Sequence, residues 1–80
     1  MDDQEILNLI RDLVDEEHHL LKLEEEGKLV GDQHERVRLL EVNLDQCWDL
    51  LRQRRAYRNA GRNPDEAQLR DPSTVEHYQQ

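Results

Sequence analysis

Apolar residues recur along the first third of the chain with the spacing of a helix. At about 100° per residue, Ile6, Ile10, Leu13, Val14, Leu20 and Leu21 fall within one stripe about 120° wide, and Leu7 and Leu9 widen it on either side. No Pro or Gly interrupts before Gly27, so the pattern predicts a helix over 3–26, with Asp2 or Asp3 as its cap and early acids at the positive end of its dipole. Gly27 suits the left-handed position past a helix end. Asp32-Gln33-His34-Glu35 reads as a capping box for a second helix. Between them, Leu29 and Val30 are expected to fold back onto the core.

Val37, Leu40, Leu44, Cys47 and Leu51 follow the 3–4 spacing of a packed seam, with Trp48 beside it, and predict a helix over 33–60 that ends at Ala60-Gly61. A short connection between two long helices makes them antiparallel neighbours. The fold class is therefore all-α, a two-helix hairpin over 1–62 followed by a short tail over 63–80. Asn63-Pro64-Asp65-Glu66 and Asp71-Pro72 each place a capping residue before a proline, so the tail is expected to hold one or two short helical turns or to stay extended against a partner.

A hairpin buries only one stripe per helix against a large ordering entropy. Leu39, Leu50 and Tyr57 project away from the Val37–Leu51 seam on the opposite flank of the second helix, where a lone hairpin leaves them in water. They are the candidate interface for a homodimer or higher oligomer, closing into a four-helix bundle.

Composition sharpens this picture. The 80 residues carry a formal net charge of −8, with one Cys, one Trp and no Phe. No apolar run approaches the roughly 18 residues of a membrane span, which speaks against a transmembrane protein. The acidic start Met1-Asp2-Asp3-Gln4-Glu5 lacks the order of a secretion signal, and a lone cysteine fits a reducing compartment, so a cytoplasmic location is expected. Charge is unevenly placed. Residues 1–49 hold 15 acids and 5 bases, whereas residues 50–62 hold Arg52, Arg54, Arg55, Arg58 and Arg62 and no acid.

The block Leu44-Asp45-Gln46-Cys47-Trp48-Asp49-Leu50-Leu51-Arg52-Gln53-Arg54-Arg55-Ala56, with Glu16-Glu17-His18 upstream and Val75-Glu76-His77-Tyr78 near the end, resembles an uncharacterised actinobacterial family, domain of unknown function 2630. The likeness covers nearly the whole chain. It implies a free-standing bacterial cytoplasmic protein of this size and supplies no catalytic residue or ligand.

Four constellations bear on function. The arginines, chiefly Arg52, Arg54, Arg55 and Arg58, with Trp48, His77 and Tyr78, are the candidate surface for another protein. Against that stands internal pairing with Asp2, Asp3 and Glu5 across the hairpin, and Arg55, in line with the seam, is expected to meet an acid there. Nucleic acid is disfavoured by the net charge. In the second constellation, Glu17 sits amid the first helix's apolar stripe. Facing residues in such a hairpin sum to about 59, which brings Glu17 near Glu41, with His18 and Asp45 on the adjoining edge. This layer is either a structural polar device, satisfied by Arg11, Arg36 or Arg38, or the alternative reading of a divalent-metal site for Fe, Mn or Zn. Glu16-x-x-His19 matches ferritin-like ligand spacing but points to the flank of the stripe. In the third, Glu24, Glu25, Glu26 and Asp32 tip the hairpin with acid, broadly like the acid-tipped coiled coils that enter the secondary channel of RNA polymerase, a further alternative. Finally, Cys47 lies on the seam without a His–Asp arrangement in sequence, and there is no phosphate loop, Cys–Cys metal spacing or nucleophile elbow. The sequence thus favours a non-enzymatic, self-associating interaction or regulatory module without a cofactor.

Overall fold

The computed structural model describes residues 1–75, and His77 and Tyr78 lie outside them. Two long helices dominate: α1 over Asp3–Glu25 and α2 over Gln33–Asn59. They pack side by side as an antiparallel hairpin, with the start of α1 held against the end of α2. A single 3-10 turn over Pro64–Glu66 and a one-turn helix α3 over Pro72–Val75 follow, and the described residues contain no strand. The molecule measures 50 × 24 × 19 Å.

The ends of the helices are set by local chemistry. Asp2 and Glu5 form the capping box of α1: the Glu5 amide donates to Asp2 Oδ1 at 2.8 Å and the Asp2 amide to Glu5 Oε1 at 3.2 Å. Gly27 ends α1 at φ 70°, its amide donating to the Glu24 carbonyl while the Lys28 amide donates to that of Leu23. This is the paired closure that only a left-handed residue permits at low cost. The same closure ends α2, where Gly61 donates to Arg58 and Arg62 to Tyr57. The Arg62 guanidinium then lies 4.4 Å over the Tyr57 ring, in the place of the usual apolar contact.

The start of α2 departs from expectation. Asp32 is itself in a helical conformation, and its side chain accepts no capping bond. The carbonyls of Val30 and Gly31 take the amides of Gln33 and His34, and Gln33 Oε1 accepts from the Val30 amide. The preceding turn thus takes the amides of the first two residues of the helix. Glu35, the supposed second half of the box, instead binds Arg38 at 2.9 Å.

The core lies between the helices: Ile6, Ile10, Leu13 and Leu20 from α1 meet Leu40, Leu44 and Cys47 from α2, with Leu29 folded back against them. Val30 does not follow and stays 67% exposed, and Leu21 sits at the outer edge of the α1 stripe, partly in water. The tail forms a third layer. Residues 63–71 run back along α2, from Arg54 past Gln53 to Gln46. There Gln53 Nε2 donates to the Gln68 carbonyl at 2.7 Å, and Gln46 Nε2 to that of Arg70 at 3.1 Å.

Candidate functional site

The arginines at the end of α2 divide into two sets. Arg54 is buried, at 6% exposure, on the face turned toward α1. Its Nε donates to Asp3 Oδ1 at 2.5 Å, and its Nη1 to Asp65 Oδ1 at 3.0 Å and to the Pro64 carbonyl at 3.2 Å. One guanidinium therefore ties the start of α1, the end of α2 and the tail. Arg58 adds a contact to Asp3 at 2.9 Å. The Asp3 carboxyl is held below its ordinary range by hydrogen bonds from Arg54 and then Arg58, and Arg54 is raised in turn by Asp3 and Asp65. Arg62 meets Glu66 at 3.3 Å. Arg54 is thus engaged inside the chain and turned away from the surface. It also takes the seam position expected for Arg55, because the 3–4 spacing of residues 40, 44, 47 and 51 continues to 54 and 58.

Arg52 and Arg55 face the other way. With Arg58 they rim a groove on the flank of the hairpin whose apolar lining is Leu7, Trp48 and Leu51, with Asp3 at one end. Leu7 and Trp48 are 42% and 40% exposed. Trp48, Leu51, Arg52, Arg55 and Arg58 stand at i, i+3, i+4, i+7 and i+10, so a straight helix aligns them along one side. Arg55 forms no ion pair with a described side chain. Four of the candidates singled out by sequence, Trp48, Arg52, Arg55 and Arg58, thereby share one groove, and the fifth, Arg54, lies behind it.

A second, almost wholly apolar groove opens on the other flank, lined by Ile6, Leu9, Cys47, Leu50 and Leu69. It separates the three residues expected to form an oligomer interface. Leu50 packs on the core and lines this groove, Tyr57 is half-buried under Arg62, and only Leu39 stands exposed. The tail lies along part of the flank assigned to a second copy, with Leu69 beside Leu50, while Leu39 and the groove itself stay open. Cys47 is buried, and burial pushes its thiol up, away from the thiolate form that nucleophilic chemistry needs.

The carboxylate and histidine layer is opened out. Glu17 and Asp45 are half-buried, whereas His18 and Glu41 are exposed. Arg36 is drawn to Glu16, not Glu17, binding it through Nε at 2.5 Å and Nη2 at 2.9 Å and holding its carboxyl below the ordinary range. Arg11 meets Asp12 and Arg38 meets Glu35. Among the described residues, no three His, Cys, Asp or Glu side chains converge as a metal site. At the hairpin tip Glu24, Glu25, Glu26 and Asp32 are all exposed, and Lys28 pairs with Glu26 at 3.1 Å.

One polar centre escaped the sequence altogether. Asp49 is fully buried on the side of α2 opposite α1, where Arg70 binds it through two nitrogens and Gln53 Nε2 donates to it at 3.0 Å. The charged partner of Asp49 lies 21 positions away, and Gln53 four residues on gives no sign of it.

No helix of the described residues is long and apolar enough to cross a membrane. The model of the family described as Protein of unknown function (DUF2630) matches residues 2–80, and the chain belongs to that family. Uncharacterised proteins of Mycobacterium tuberculosis and Mycobacterium bovis are 48% identical to it over 77 residues, covering 95% of this chain and 88% of each relative. No solved structure matches the chain.

Proposed function

We propose that this member of the family is a self-associating helical interaction module rather than an enzyme, and that its docking face is the flank carrying Trp48. The observation that carries this reading is the groove itself: an exposed Trp and Leu on two rigid helices, ringed by Arg52, Arg55 and Arg58. Tryptophan and arginine are enriched among the residues that carry the energy of binding faces, Trp through its large rigid apolar surface and Arg through its planar, many-donor guanidinium. The helices fix the backbone that carries these residues before a partner arrives, which lowers the cost of ordering the face. The reading moves the interface away from Leu39, Leu50 and Tyr57, and it leaves Arg54 as internal support. The buried position of Cys47 favours the non-enzymatic reading.

Light scattering on the intact chain after gel filtration tests this. The expected mass is about twice the 9.6 kDa of one chain, falling to that of one chain in Trp48→Glu while the far-ultraviolet helical signal is unchanged. A wild-type chain that stays monomeric at hundreds of micromolar overturns the self-association.

A further inference from the structure

Four charges on α2 are arranged symmetrically about Trp48. Glu41 lies seven residues before it and Arg55 seven residues after it, both exposed, and at about 100° per residue both fall within about 20° of the Trp48 direction. Asp45 and Arg52, at three before and four after, continue the pattern with the same signs, acid on the N-terminal side and base on the C-terminal side. The opposite edge of this stripe carries Leu51, with Leu7 of α1 beside it.

A stripe that is acidic on one side of a central residue and basic on the other is complementary to itself when reversed. We propose that the occupant of the Trp48 groove is a second copy of this chain, docked with its α2 antiparallel to the first and a two-fold axis passing beside Trp48. At about 1.5 Å per residue, Glu41 and Arg55 each stand about 10 Å from that axis, so each Glu41 meets the partner's Arg55. The same operation brings the two tryptophans together at the axis and sets Leu51 and Leu7 of one copy along the apolar edge of the other. An isologous interface of this kind closes on itself and stops at two chains. A parallel arrangement sets Glu41 against Glu41 and Arg55 against Arg55, and like charges so placed oppose binding. The overall charge of −8 per chain also works against association at a distance. At physiological salt, however, the Debye length is about 8 Å, so the contacts at the stripe decide the outcome.

This inference rests on the self-association proposed above and adds its register. Charge reversal separates the two. In Glu41→Arg and in Arg55→Glu, every cross-pair becomes a like-charge pair, and dimer dissociation is expected to rise at least tenfold, read by sedimentation equilibrium. Combining the two substitutions in one chain restores opposite charges at both places and is expected to bring dissociation back to within about threefold of wild type, since only paired positions show such coupling. Both side chains are exposed, so the helical signal should not change in any variant. A wild-type dimer indifferent to either single change, or a double variant as weak as the sum of the singles, overturns the register while leaving self-association in place. A monomeric wild type overturns both.

Discussion

Asp49 is wholly removed from solvent on the side of α2 that faces away from α1, and Arg70 with Gln53 supplies its hydrogen bonds. A buried carboxylate that loses its counter-ion keeps its desolvation cost and loses the compensation. Arg70→Ala is therefore expected to destabilise the fold by about 3 kcal/mol. A differential scanning measurement should show the midpoint falling by roughly 10 °C or more. Asp3 gives a different signature. Its carboxyl titrates below its ordinary value of 3.8 in the folded chain, because Arg54 and Arg58 bind the charged form. A group depressed in this way stabilises the fold above the unfolded value, and that contribution is lost as pH falls through the folded one. Glu16, held down by Arg36 from 4.5, acts in the same direction. Urea midpoints should thus drop as the solution is taken from pH 5 to pH 3, and Asp3→Asn should flatten that drop.

The two long helices, α1 and α2, are closed by the same glycine device, yet they begin differently. Asp2 caps α1 through a reciprocal box with Glu5, whereas the Asp32 side chain caps nothing. Asp2→Ala should accordingly cost about 1 kcal/mol, and Asp32→Ala should stay within about 0.5 kcal/mol, both read from denaturant midpoints. The two starts carry the same spacing of acid and acid, so sequence alone could not rank them. The backbone turn through Val30 and Gly31 decides it, and that turn is a property of three-dimensional closure. The helices themselves were legible, because a stripe recurring every three or four residues is local information. The seam spacing also contained the burial of Arg54, since it steps from 51 to 54, but the neighbouring Arg55 drew the reading. The path of the tail was not legible. It depends on Arg70 finding Asp49 and Gln53 finding the Gln68 carbonyl, contacts across many residues that no local pattern encodes.

At the scale of the molecule, the tail lies along the side of α2 that carries Gln46, Asp49 and Gln53, and apolar side chains stay exposed on both flanks of the hairpin, Leu7 and Trp48 on one and Leu9 and Leu69 on the other. Of the candidate surface, the membership of Trp48, Arg52 and Arg58 was readable from their clustering. Which of the five arginines faced inward was not, because it depends on Asp3 and Asp65 arriving from two other elements. Trp48 is the only tryptophan in the chain, so its emission reports this face alone. The most direct measurement is the emission maximum and acrylamide quenching of Trp48 in the intact wild-type chain, followed from hundreds of micromolar down to nanomolar. A Trp48 face closed by a second copy predicts a blue-shifted, quencher-protected indole at high concentration that becomes red-shifted and accessible on dilution, with the helical signal constant. A Trp48 that is equally accessible at every concentration contradicts it.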